Sequence, residues 1–269
     1  MTNTHSVKVN FLVIGAMKCA TTALCEALSK HPDICFPEVK EPQFFSKTDW
    51  REHLGSYHKS FEREAKLYGE GSTNYSKFPH FNPNIHKDIQ EYNPNMKFIY
   101  IMRNPIERVI SHYVHSFNRG YEKNIIDTAI AQRSIYIDTS RYAFQIEHYV
   151  NLFPSKNILF LFFEDFIDSP QQTLKDVCKF LEIEPISFDL SNLKKNSGRA
   201  HRIVSHELDK PRTIVGLLKK LKLRLVNKGH LSKAPQISSA TRDFIIESVS
   251  KDVKEIENLT GRNLSHWLG

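Results

Sequence analysis

Cysteine is scarce in this chain of 269 residues: the four present, Cys19, Cys25, Cys35 and Cys178, form no CxxC pair. A chain of this length builds a core without cross-links, which excludes a disulfide framework and makes a reducing compartment, the cytoplasm, the expected setting. Long apolar runs are also missing. The polar opening MTNTHSVKVN leads into an apolar run of only four or five residues, too short for a signal h-region or a membrane span. There is no internal repeat, and 40% hydrophobic with 25% charged residues is an ordinary globular balance that excludes a disordered or coiled-coil chain. The length suits one sizeable domain over 1–269.

Acidic residues are depleted in one place. Lys and Arg number 37 against 30 Asp and Glu, and residues 194–233 hold twelve Lys/Arg against only Glu207 and Asp209. Such a block suits an anionic partner (nucleotide, acidic polysaccharide, nucleic acid or membrane surface) or forms a solvated face. Nucleic acid is the least supported of these, because the aromatics sit mostly in strand-like runs and no groove-reading motif occurs. Within the block, TIVGLLKKLKLRLV (213–226) places Ile214, Leu217, Leu218, Leu221 and Leu225 on one helical face and its cations mainly on others. It could touch a membrane, cover an acceptor cleft or pack as a basic helix on the domain.

Periodicity predicts strands at 11–14, within KLYGEGSTNYS, at 97–102 and at 158–163, the last buried on both faces. Helices are expected at 21–30, after Asn104-Pro105, over 140–152, from Pro170 with Ser169 as cap, and over 240–259. Alternating strands and helices imply an α/β fold, P-loop-like, with a mostly parallel central sheet and helices on both faces. Ligands bind such sheets at the strands' carboxyl ends. The loops after Ile14, after Met102 and before Lys40 are therefore expected on one rim.

The loop GAMKCATT lacks what a nucleotide triphosphatase needs. A Walker A loop has lysine directly before the hydroxyl residue that holds magnesium. Here Lys18 comes three residues after Gly15, no second glycine follows, and no later strand ends in a clear magnesium acid. A phosphate cradle remains: the N–H groups of a helix start, the hydroxyls of Thr21 and Thr22, and the Lys18 cation. At the end of the 97–102 strand, Arg103 supplies a bidentate fork, and Ser111 adds a hydroxyl eight residues on. Two separate anion sites suit a nucleotide with phosphates at both ends of its ribose. His112 and His115, three apart, read as surface or helix-packing histidines, since no acid or cysteine cluster accompanies them.

GAMKCATTAL, VKEPQFF, YIMRNPIERVISHY, ILFLFFEDF and KKNSG, in that order, resemble the sulfotransferases that use 3′-phosphoadenosine 5′-phosphosulfate (PAPS), particularly the bacterial and heparan-sulfate-type branch. The likeness runs from Phe11 to the final LSHWLG. It implies that Lys18, Cys19, Ala20, Thr21 and Thr22 grip the 5′-phosphosulfate, with Lys18 on the bridging oxygen. It implies that Arg103 and Ser111 bind the 3′-phosphate, and that Ser197, Gly198 and Arg199 belong to a late loop covering the nucleotide. Glu41 matches the branch's catalytic base; Lys40 would bind the transferring sulfuryl oxygens or hold Glu41 ionised. No metal is required by this chemistry, whose spent product is 3′-phosphoadenosine 5′-phosphate (PAP). The sequence departs from the branch at GEGSTNY, where Gly71 stands in place of a lysine near the substrate, and it offers Glu41 and Gln43 where the phenol and steroid branch has a histidine base. The acceptor is expected to be a saccharide, glycolipid or small metabolite. The alternatives are a P-loop kinase or NTPase, which would depend on magnesium, and a non-catalytic nucleotide- or anion-binding module.

Overall fold

The computed structural model describes residues 7–190, 203–204, 231–232 and 235–269. Ser197, Gly198, Arg199 and the amphipathic segment 213–226 lie outside the described residues. A five-stranded parallel sheet runs in the order β2-β3-β1-β4-β5, built from β1 (Val9–Gly15), β2 (Ile34–Cys35), β3 (Leu67–Gly71), β4 (Lys97–Met102) and β5 (Ile158–Phe162). Residues 11–14 of β1 and 98–102 of β4 have no exposed surface. Central parallel strands are covered on both faces, so they need an apolar residue at nearly every position. β5 departs from expectation. It is the outermost strand, Leu159 and Phe160 are half-buried, and Phe163 already opens a helix.

Helices α1 (Thr21–Leu28), α2 (Leu54–Lys59), α3 (Ile85–Tyr92), α4 (Pro105–Asn118), α5 (Ile126–Gln132), α6 (Ile135–Asp138), α7 (Tyr142–Val150), α8 (Phe163–Asp168), α9 (Pro170–Leu181) and a long helix Ser239–Thr260 surround the sheet. The chain leaves β1 toward β2 and β3 on one side, then crosses to β4 and β5 on the other. That reversal opens a crevice at the carboxyl end of β1, the usual ligand position in such sheets. A second apolar cluster joins Ile106 and Val109 of α4 to Ile130 of α5, Tyr136 of α6 and Ile245 of the long helix. Among the described residues no helix is long and apolar enough to cross a membrane.

Helix ends follow local chemistry unevenly. Asn104 caps α4 by accepting the N–H of Ile106 and of Glu107, and Pro105 fills the first helical position. Ser238 caps the long helix, its hydroxyl accepting the Thr241 N–H at 3.2 Å, and Gly261 (φ 70°) closes it. Ser169 precedes α9 as expected but its side chain makes no capping bond. Ser238→Ala should therefore cost about 1 kcal/mol in urea unfolding, while Ser169→Ala should leave the midpoint unchanged; equal losses at both positions would contradict this reading of the caps.

Candidate active site

After β1 the backbone turns through two left-handed residues, Lys18 (φ 73°) and Ala20 (φ 65°), a conformation that costs a residue bearing a β-carbon about 1–2 kcal/mol. The Ala16 N–H donates to Ile101 O at 2.7 Å and locks the turn to β4. α1 then starts with no side-chain cap and no acid in its first turn, leaving its first N–H groups and its dipole open to an anion. Thr21 is buried; the half-buried Thr22 hydroxyl accepts from Lys40 Nζ at 2.8 Å.

Cys19 is turned into the protein. Its thiol is buried 3.9 Å from the Tyr142 hydroxyl, its N–H donates to Ala16 O at 3.1 Å, and burial pushes the thiol up to about 11. It stabilises the turn and has no free donor for a ligand.

The Lys18 ammonium makes no hydrogen bond among the described residues, and it is held below the usual lysine range by burial and then by the Arg103 guanidinium. Two cations crowd one place, and an anion there would relieve both. Arg103, 6% exposed at the end of β4, donates from Nη1 to Lys18 O at 3.3 Å and lies over the Phe163 ring, 4.6 Å from its centroid. Its Nε and the Ser111 Oγ are both buried and without a partner among the described residues. Buried polar atoms seldom stay unpaired unless a ligand or water completes them. Five residues along from Arg103, Arg108 is fully buried, bonded to Ser140 Oγ and Tyr136 O but to no carboxylate among the described residues. Burial lowers its guanidinium too.

Facing this loop, residues 36–42 and α1 enclose a cleft of about 230 Å³ that also reaches Gly71. Glu41 and Gln43 both have φ 51°. Of the five non-glycine residues with positive φ among those described, four thus lie in these two loops, and such backbone concentrates where function over-determines it. One acid fixes the second loop. Glu70, fully buried on β3, accepts from Ser72 Oγ at 2.5 Å, from Tyr75 OH at 2.7 Å and from Tyr57 OH. Ser72 Oγ in turn accepts the Gln43 N–H at 2.9 Å, and Tyr75 OH accepts the Phe45 N–H at 3.0 Å. Burial raises the Glu70 carboxyl against the pull of its hydroxyl donors.

The missing lysine at position 71 has a steric cause: a β-carbon on Gly71 would sit 2.5 Å from Cys25 Sγ. A different lysine is nearby in the network. Lys77 is 7% exposed and donates to Asn74 Oδ1 at 2.7 Å, while Asn74 Nδ2 donates to Gln43 Oε1 at 2.6 Å. No carboxylate pairs with Lys77 among the described residues. Its ammonium is pushed down to about 8 by burial, with Arg108 adding and Glu41 opposing. His112 is buried against Arg108, its Nδ1 3.3 Å from Nη1, and His115 is half-buried. A guanidinium beside His112 suits helix packing and repels a metal ion.

A mostly parallel α/β sheet with helices on both sides and an uncapped helix start after its first strand defines a P-loop-like fold. The sulfotransferase domain description matches residues 8–211. The chain thus belongs to the PAPS-dependent sulfotransferase family. It is 35% identical over 109 residues to the membrane-associated sulfotransferase kil1 of Dictyostelium discoideum, covering 39% of this chain and 22% of that one. It is 26% identical over 192 residues to human heparan sulfate glucosamine 3-O-sulfotransferase 6, covering 66% and 53%. The chain therefore spans about half or less of the length of these relatives. Among solved structures, a sulfotransferase from Alicyclobacillus acidocaldarius superposes with a TM-score of 0.73 at 23% identity, covering 97% and 99%. A mouse sulfotransferase complexed with PAP gives 0.54 at 19%, covering 94% and 86%. These two likenesses show the fold.

Lys18, Thr21 and Thr22 follow β1, Arg103 follows β4 and reaches the Lys18 carbonyl, Lys40 beside Glu41 is bonded to Thr22, and Ser111 lies within α4. Glu70, Arg108 and Lys77 were not singled out from sequence. Glu70 could have been, as an acid inside a strand that pairs with the central β1; Arg108 falls in the apolar stripe of α4 with Pro105, Val109 and His112. Lys77 gave no signal. Its buried ammonium destabilises the fold fully below pH 8; the penalty fades from there toward the unfolded lysine value of about 10.4. Lys77→Met should therefore be more stable than wild type at pH 7, by about 1–3 kcal/mol, with the gap closing between pH 8 and 10 in urea titrations; a less stable variant at pH 7 would refute the unpaired-cation reading.

Proposed function

We propose that the chain transfers a sulfuryl group from PAPS to a hydroxyl or amine of an acceptor, a saccharide, glycolipid or small metabolite, by in-line displacement. The observation that carries this reading is the pair of buried atoms without a partner among the described residues, Arg103 Nε and Ser111 Oγ, beside the uncapped start of α1. Together they fit the 3′-phosphate and the 5′-phosphosulfate of one nucleotide. Bound PAPS supplies a sulfuryl group whose leaving group is the 5′-phosphate. The residues of the chain do the remainder. The first-turn N–H groups of α1 with Thr21 and Thr22 seat the anion, and the Lys18 ammonium stabilises charge developing on the phosphate. Glu41, held by the Glu70–Ser72–Gln43 relay, takes the acceptor proton onto a carboxylate oxygen. Lys40, bridged to Thr22, keeps the Glu41 loop against α1 and offers its charge to the sulfuryl oxygens.

Calorimetry with PAP in the absence of divalent metal tests this. Wild type should bind, Arg103→Ala should bind at least tenfold more weakly, and a hundredfold excess of PAP over Kd should add about 2.7 kcal/mol of stability, about 5–10 °C in Tm. A folded protein that ignores PAP, or prefers ATP with magnesium, would overturn the proposal in favour of a kinase. Glu41→Gln should keep PAP affinity and lower kcat by about 10²–10⁴; an unchanged kcat would remove Glu41 from the chemistry.

A further inference from the structure

The charges around the candidate site are sorted by side. Lys18, Arg103, Arg108 and the network of Lys77 lie toward the ends of β1 and β4 and the loop after β3. The cleft between α1 and residues 36–42 carries the opposite sign: Glu26, Glu38 and Glu41 line it, with Lys40 as its one cation among the described residues. Even that ammonium already donates to Thr22 Oγ1 at 2.8 Å. Position 71 is a glycine and supplies no side chain; a β-carbon there would sit 2.5 Å from Cys25 Sγ, which would have to turn aside. Burial and then Glu41 push the Cys25 thiol up to about 12, so Cys25 presents a neutral, apolar surface.

The rest of the lining is largely apolar, with Phe36, Pro37, Val39 and Pro42. Val39 is 60% exposed, an uncovered branched side chain at the mouth of the cleft. The volume, about 230 Å³, is below the ~300 Å³ at which drug-sized sites begin, and holds about one ring or a short chain. A polyanion laid here would set its charges against three carboxylates, which is how a site rejects a wrong ligand.

We infer that this cleft takes a compact, hydroxyl-bearing acceptor with an apolar body and no negative charge, and disfavours a polyanionic saccharide chain; the inference rests on the sulfotransferase reading above. The same carboxylates give direction to turnover. The acceptor enters uncharged and, once its oxygen has exchanged a proton for a sulfuryl group, leaves as an anion that the lining repels.

The test uses the full chain saturated with PAP, titrated calorimetrically at about 0.15 M ionic strength. One ligand is octyl β-D-glucopyranoside below its micellar concentration; the other is an N-sulfated heparan-type hexasaccharide. Wild type is compared with a Glu26→Gln/Glu38→Gln variant whose thermal melt matches it. The glucoside should bind wild type at least tenfold more tightly than the hexasaccharide. The variant should tighten hexasaccharide binding at least threefold and leave glucoside binding within twofold. A hexasaccharide that binds wild type as well or better, a glucoside that fails to bind the PAP-loaded protein, or a ratio unmoved in the variant would each overturn the inference while PAP binding keeps the sulfotransferase reading. Failure of a folded chain to bind PAP at all would remove both.

Discussion

The contact of the Arg103 guanidinium with the carbonyl of Lys18, at 3.3 Å, ties the loop after β1 to the end of β4 and confines two positive charges in one enclosed place. Arg103 pairs with Glu107 at 3.5 Å, an acid on the solvent side of α4, and the Lys18 ammonium has no carboxylate partner among the described residues. Proteins usually pair or neutralise buried charge. Here the two cations are kept together: burial and then Arg103 lower the Lys18 ammonium, and Arg103 Nε and Ser111 Oγ find no partner among the described residues. Incomplete internal satisfaction of this kind is what an anionic ligand would relieve.

The facing loop is organised by an opposite device. One carboxylate, Glu70, collects three hydroxyls, and two of those pass its hold on to the backbone at Gln43 and Phe45. Side chains that act through such relays have little freedom to drift, and a base must be held to fractions of an ångström to be useful. Glu41 itself stays half-buried and open to the cleft, while the rigidity is supplied from a position that no substrate reaches.

Much of this was legible in the chain because strong local signals were present. The uninterrupted apolar run of β4 and the Asn-Pro helix start each have a single physical reading, and the structure places them as expected; the strand, loop and helix around GAMKCATT are also where its pattern puts them. Edges and caps were less legible. The apolar run at 158–163 reads as a central strand, yet β5 is outermost, because sheet order depends on crossovers that periodicity does not encode. Ser169 has the right residue type for a cap and makes no capping bond, since rotamer choice is decided by its neighbours. Lys77, with nothing in its local sequence to mark it, shows the limit: burial of a charge is a tertiary property.

The brace on Arg103 is remote in sequence. Tyr142 OH donates to Arg103 O at 2.8 Å. Its helix α7 is held in turn by Asp252, which accepts from Arg141 Nε and the Phe144 N–H, and Trp267 packs on the Tyr142 ring. The end of β4 is thus held through residues far along the chain, and a substitution at Asp252 or Trp267 would be felt at Arg103 as a loss of order at a distance.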